Sequence, residues 1–160
     1  MKAEMKQVAL WLQPEEIHLD VDLRDANHAL AFIAGAIAEL HELDPAPIYR
    51  ALSRREQAGS TALGAGFAVP HACIPGIDRP LTFLVRARRP IEFKAPDHEP
   101  VSLMLAILVP DHGDRDDHLR LLALVAELFS SPRFRASVDL GTRPANVAAS
   151  LREGIARLEG

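Results

Sequence analysis

A chain of 160 residues that is 48% hydrophobic and 25% charged can bury one sizeable core and is too apolar to stay disordered. Its 18 Lys and Arg against 22 Asp and Glu leave a formal net charge of −4, which argues against a dedicated nucleic-acid binder. The single cysteine, Cys73, excludes an intrachain disulfide and a multi-cysteine zinc site, and the longest apolar run, 29–38, is far short of the roughly 20 residues of a bilayer span. No signal-peptide pattern opens the chain, so a soluble cytoplasmic domain without a membrane span is expected.

Residues 1–13 read as a peripheral lead-in anchored by Val8, Leu10 and Leu12, and 14–160 as one domain. Ile17, Leu19 and Val21 alternate with His18, Asp20 and Asp22, the period of a half-buried strand. From Asp25, a candidate N-cap, Leu30, Ile33, Ile37 and Leu40 recur at helical spacing. Asp44-Pro45 starts a second helix with Ile48, Ala51, Leu52 and Arg55 on one face, and Gly59 is expected to end it as a left-handed C-cap. The Gly-rich segment 59–76 reads as a loop feeding a short strand. Leu81 to Val85 is a predicted strand, with Ile91 and Phe93 in a neighbour across Arg88-Arg89-Pro90. Val101 to Val109 is apolar enough for a central strand covered on both faces. Leu119, Leu122, Val125 and Phe129 define a helix, 134–140 a shorter one, and Thr142 is the expected cap of a last helix with Val147, Leu151, Ile155 and Leu158 buried. One layered α/β domain with a mixed sheet follows from this order.

The chemistry-bearing candidates cluster around the glycines. Gly59 and Gly64 have the outer spacing of a P-loop, but Ala65 and Gly66 stand where Lys and Ser/Thr are required, and Val69 replaces the last glycine of a dinucleotide fingerprint. His71 follows Pro70 where an apolar segment meets a loop. His118 opens a helix just past the presumed central strand, and Arg55 ends a helix four residues before Gly59. Two imidazoles and a guanidinium suit phosphate chemistry, one ring as nucleophile and the other groups stabilising anionic oxygens. His112, Asp114, Asp116 and His118 are the rival metal ligands, without any tight ligand spacing. Cys73, two residues from His71, is the rival nucleophile, with no orienting group evident.

The run from Arg55-Glu56 through Gly59-Ser60-Thr61, Gly64-Ala65-Gly66 and Val69-Pro70-His71 resembles the active-site segment of the mannitol/fructose-type enzyme IIA domains of the bacterial phosphotransferase system. Phe67 and Ala72 depart from that pattern. Pro100-Val101 to Val109-Pro110, His118-Leu119 and Ile17-His18-Leu19-Asp20-Val21 extend the resemblance over about residues 8–158, and it is strongest to the stand-alone nitrogen-regulatory members. The resemblance implies a mixed sheet of about five strands flanked by helices. It also implies a phosphohistidine at His71, His118 and Arg55 beside it, and Ser60 and Thr61 in the adjoining loop. By the same resemblance the protein is a phosphoryl carrier rather than a turnover enzyme, without cofactor or metal. It is expected to be charged by an HPr-like phosphocarrier and to control regulatory targets such as a potassium transporter or a sensor kinase. A sugar-specific IIA passing phosphoryl to a IIB component, and an interaction module that is never phosphorylated, are the alternatives.

Overall fold

A computed structural model of the chain describes residues 12–159. Val8 and Leu10 lie outside the described residues, and Leu12, the third expected anchor, is buried. After a single 3₁₀ turn at Pro14–Glu16 come β1 (Ile17–Val21), α1 (Ala26–His41), α2 (Pro45–Gln57), β2 (Ala62–Gly64), β3 (Phe67–Ala68), β4 (His71–Ile74), β5 (Leu81–Ile91) and β6 (Val101–Pro110). Three helices follow: α3 (Arg115–Phe129), α4 (Pro132–Leu140) and α5 (Pro144–Glu159). The six strands form one mixed sheet in the order β1-β5-β6-β3-β2, with β4 also paired to β6. No helix among the described residues is long and apolar enough to cross a membrane.

Strand β6 is the spine, buried along almost its whole length. Its pleat sends Met104, Ala106 and Leu108 to one face, where Leu30, Ile33 and Ile37 of α1 and Ile48 and Leu52 of α2 pack. Leu103, Leu105, Ile107 and Val109 go to the other, against Leu121 and Val125 of α3, Phe134 and Val138 of α4, and Val147 and Leu151 of α5. The predicted Asp25 cap forms, and the predicted start at Asp44-Pro45 is capped as well. Asp25 accepts from the His28 N–H at 2.8 Å, and Asp44 from the Ala46 N–H at 3.0 Å with Pro45 in the first turn.

Several expectations change. Ile91 does not start a new strand: β5 runs unbroken through Arg88-Arg89-Pro90 and its hairpin partner is β6. The register shifts between Arg86 and Ile91, and at such a bulge the missing N–H of Pro90 costs no ladder bond. The segment 59–76 carries three short strands rather than one. Helix α2 ends on Ala58 in a right-handed conformation, and Gly59 beyond it has φ 157°, outside the compact left-handed cap. Arg143, not Thr142, heads α5: its carbonyl accepts the Val147 N–H, and Pro144 takes the first helical position. Leu40, Leu119 and Leu158 are exposed rather than core residues. The buried stripe of α3 is Leu121, Val125, Leu128 and Phe129.

One side chain ties the end of α4 to the sheet. The Arg86 guanidinium on β5 donates to the carbonyls of Val138 (3.0 Å), Asp139 (3.2 Å) and Gly141 (2.6 Å), the open C-terminal end of α4, and also reaches Asp20 at 3.3 Å. A buried-side cation at a helix C-terminus satisfies carbonyls that have no partner within the helix. Arg86→Ala is expected to lower unfolding stability by about 2–3 kcal/mol, since charged hydrogen bonds vanish and their acceptors stay largely shielded. The check is a urea denaturation series showing a lower midpoint at an unchanged slope.

Candidate functional site

The site is built on an interrupted strand. β3 and β4 run parallel to β6 in the same register: Phe67 faces Leu103 and Ala68 faces Met104 before the gap, His71 faces Ile107 and Ile74 faces Pro110 after it. The gap is Val69-Pro70. Pro70 has no N–H to lose, and its carbonyl still accepts the Ile107 N–H at 2.9 Å. Because the pleat continues, Phe67 and Val69 join the α3–α5 side of the core, while Ala68, Ala72 and Ile74 join the α1–α2 side. His71, next in the alternation, is therefore on the α3 side of the sheet and half-buried. Of the two departures from the family pattern, Phe67 is absorbed by packing. Its ring stacks on Phe129 at 4.0 Å with 5° between planes.

The His71 ring is oriented by the chain just before it. Nδ1 lies 2.7 Å from the Val69 carbonyl oxygen. A carbonyl can only accept, so Nδ1 carries the proton and Nε2 the lone pair. Burial holds the ring's pKa below its ordinary 6.5, and the positive charge of Arg55 pushes the same way; the Val69 carbonyl and Glu56 oppose them. The result is a neutral imidazole at neutral pH with one committed and one available nitrogen.

Arg55 reaches the site from the last turn of α2, on the other side of the sheet, and donates to the Gly59 carbonyl at 2.8 Å. Ser60 and Thr61 lie in the connecting segment with their hydroxyl protons engaged. Ser60 Oγ donates to the Phe93 carbonyl at 2.5 Å and accepts the Ala62 N–H at 3.1 Å. Thr61, 4% exposed, donates its hydroxyl to Glu56 Oε2 at 2.6 Å. His118 stands in the first turn of α3, in line with the buried Leu121 and Val125, and so faces the same side of the sheet as His71. Its ring folds back over the loop that leaves β6. A Cβ on Gly113 would fall 2.7 Å from His118 Nε2. The rival residues are placed differently. Asp114 caps α3 by accepting the Asp116 N–H at 2.8 Å, and Cys73 is exposed one pleat beyond His71.

Three contributors escaped the sequence reading. Val69 acts through its carbonyl and has no side-chain signal. Gly113 offers only the absence of a Cβ. Glu56 did carry a signal: it is a carboxylate in the last turn of a helix, the unfavourable end of the dipole, just before Ser-Thr. For Gly113→Ala, the expected outcome is a displaced His118 ring with the fold intact, because the clashing atom is the end of a mobile side chain. Proton–nitrogen spectra of the His118 imidazole report the displacement, and an unmoved ring would contradict the packing inferred for Gly113.

Comparison with known proteins agrees with this architecture. The sequence model of the phosphoenolpyruvate-dependent sugar phosphotransferase system EIIA 2 family matches residues 11–153. A protein named nitrogen regulatory protein in Bradyrhizobium diazoefficiens is 34% identical over 130 residues, 79% of this chain and 84% of that one. The crystal structure of the nitrogen regulatory protein IIA-Ntr from Neisseria meningitidis superimposes with a TM-score of 0.84 at 30% identity, covering 90% of this chain and 98% of that one. The mannitol IIA of Escherichia coli shares the fold, with a TM-score of 0.73 at 18% identity over 88% of this chain and 98% of that one. The chain belongs to the EIIA 2 family of the phosphoenolpyruvate-dependent phosphotransferase system.

Proposed function

We propose that this protein is the phosphoryl-carrying regulatory component of a nitrogen-type phosphotransferase relay. It accepts a phosphoryl group on His71 from an HPr-like phosphocarrier and controls partner proteins through its phosphorylation state. The observation that carries this reading is the 2.7 Å bond from His71 Nδ1 to the Val69 carbonyl, which reserves Nε2 for attack. The similarity to nitrogen regulatory proteins over most of their length supports regulation rather than delivery of phosphoryl to a sugar-specific IIB component.

The Nε2 lone pair attacks phosphorus in line, forming the new N–P bond as the carrier's own N–P bond breaks and its electron pair returns to the carrier's ring. No proton need be shuttled. His71 keeps its Nδ1 proton, and the positive charge the ring acquires is stabilised by the Val69 carbonyl oxygen. Arg55 and His118 act as donors to the transferring oxygens, a role that is worth most in a partly dehydrated site. The product retains high transfer potential, so the step is reversible and suits a signal that follows the supply of phosphoryl donor.

Incubation with phosphoenolpyruvate, the first enzyme of the relay and the carrier should add one acid-labile adduct of roughly 80 Da to the intact protein. His71→Ala should show none. An adduct that survives this substitution, or no adduct on the wild type, refutes the reading. The acceptor must be the neutral ring, and the folded ring's pKa lies below 6.5, so the acid limb of the single-turnover rate is expected below pH 6.5. The rate should hold as pH falls from 8 to 6.5, where a free imidazole already begins to lose competence; measuring it from pH 4.5 to 8 checks the sign.

A further inference from the structure

Between β2 and β3 one backbone hydrogen bond is missing where the ladder calls for it. Ala62 pairs with Ala68 in antiparallel register, which sets Thr61 opposite Val69. The Val69 N–H donates to the Thr61 carbonyl at 3.0 Å, the mark of a pair that ordinarily exchanges both bonds. The reciprocal bond, Thr61 N–H to Val69 O, is not made. The Thr61 N–H goes instead to Glu56 Oε1 at 3.0 Å, while the Thr61 hydroxyl goes to Oε2 of the same carboxylate at 2.6 Å. The Val69 carbonyl, left without its backbone partner, accepts His71 Nδ1 at 2.7 Å.

We propose that Glu56 is a positioning residue: by taking the Thr61 amide out of the strand ladder it keeps the Val69 carbonyl for His71, and so fixes the ring in the tautomer whose Nε2 is free. This deepens the phosphoryl-acceptor reading of His71 and rests on it. The carboxylate is suited to the task because it can accept from amide and hydroxyl at once, which holds Thr61 against swinging toward Val69. It is half-buried in the last turn of α2, with Arg54 and Arg55 beside it in the same turn. There it lies against the helix dipole, a local conflict of the kind expected where a residue serves a site. Arg55 clamps the same segment from the adjacent position through the Gly59 carbonyl at 2.8 Å, so α2 grips the connection twice. The charged groups that act on His71 are Arg55 and Glu56, both from α2.

The test compares Glu56→Ala, Glu56→Asp and Glu56→Gln with wild type. Ring nitrogen shifts of His71 report the tautomer, and through-hydrogen-bond coupling between the Thr61 amide nitrogen and the Val69 carbonyl carbon reports the diverted bond. In Glu56→Ala the coupling should appear, the Nε2-protonated tautomer should become populated, and the phosphoryl-transfer rate should fall by about 10- to 100-fold, the usual loss when a second group orienting a functional His is removed. Glu56→Gln retains an amide oxygen for Thr61 and should keep most of the wild-type tautomer and rate. If Glu56→Ala does not fold, Glu56→Asp, one methylene short of Thr61, is expected to give the same shift in tautomer. A slower transfer with the tautomer and the Thr61 bond unchanged, or no change in either, overturns the proposal. The tautomer is read on unphosphorylated protein. A wild type that never takes up phosphoryl therefore refutes the proposed function, while the spectra still decide the role of Glu56.

Discussion

A single carbonyl, that of Val69, decides what the His71 ring can do. In a continuous sheet its oxygen would belong to a neighbouring strand. Here the strand is cut at Val69-Pro70, and the cut is inexpensive because Pro70 has no donor to strand and its own carbonyl still serves Ile107. The register of β3 and β4 against β6 passes through the gap unchanged, so the interruption alters hydrogen bonding without altering which face each side chain takes. His71 is thus delivered to a fixed face by the strand register, and its Nδ1 meets a backbone acceptor. A net hydrogen bond of this kind is worth only about 1 kcal/mol to stability, yet it decides which of the two nitrogens keeps its lone pair.

The rest of the molecule makes that placement rigid. β6 is buried on both faces, and each face is closed by helices whose apolar stripes contribute roughly 1.5–3 kcal/mol per fully buried large side chain. The two layers bring different groups to the same end of the sheet. α2, from one side, supplies Arg55 and Glu56 through its last turn; α3, from the other, supplies His118 through its first. Gly113 lets the His118 ring fold back over the loop after β6, and Arg86 fastens the end of α4 to β5. None of these tethers touches His71, but each limits how far the elements around it can drift.

What sequence could show and what it could not divide along a physical line. Asp25, Asp44 and the apolar run of β6 are local signals, and each produced the element expected. The phosphotransferase motif is likewise contiguous, so the family and the α/β class were readable before any coordinates. Features that depend on pairing were not. The bulge in β5 admits Pro90 only because of what β6 does opposite it. Leu119 is exposed because the face of α3 that packs on the sheet runs through Leu121, Val125, Leu128 and Phe129, and only tertiary packing selects that face. The part played by Glu56 needs the register of β2 on β3, since only that register sets the Thr61 amide to compete with His71 Nδ1 for the Val69 carbonyl. The misplaced charge of Glu56 at a helix C-terminus was the one trace of it in the sequence.

The same arrangement bears on how a phosphoryl group at His71, on the proposed function, can be sensed without refolding. The added charge would sit on the face shared with the first turn of α3, where the helix dipole favours an anion. Asp116 and Asp117 already occupy that turn, and Asp114 takes the Asp116 amide as its cap, so part of this anion capacity is spent before phosphorylation. The new charge therefore meets attraction from Arg55, His118 and the helix end, and repulsion from the acidic rim, within one small region. On the Nδ1 side the ring would keep its proton and its bond to the Val69 carbonyl, so the strand register need not change. On the proposed function, change would be confined to the rim that includes the exposed Leu119, next in sequence to His118. A partner docking there would read charge and desolvation on an otherwise unaltered surface, which is the cheapest form of switch a rigid α/β sheet can offer.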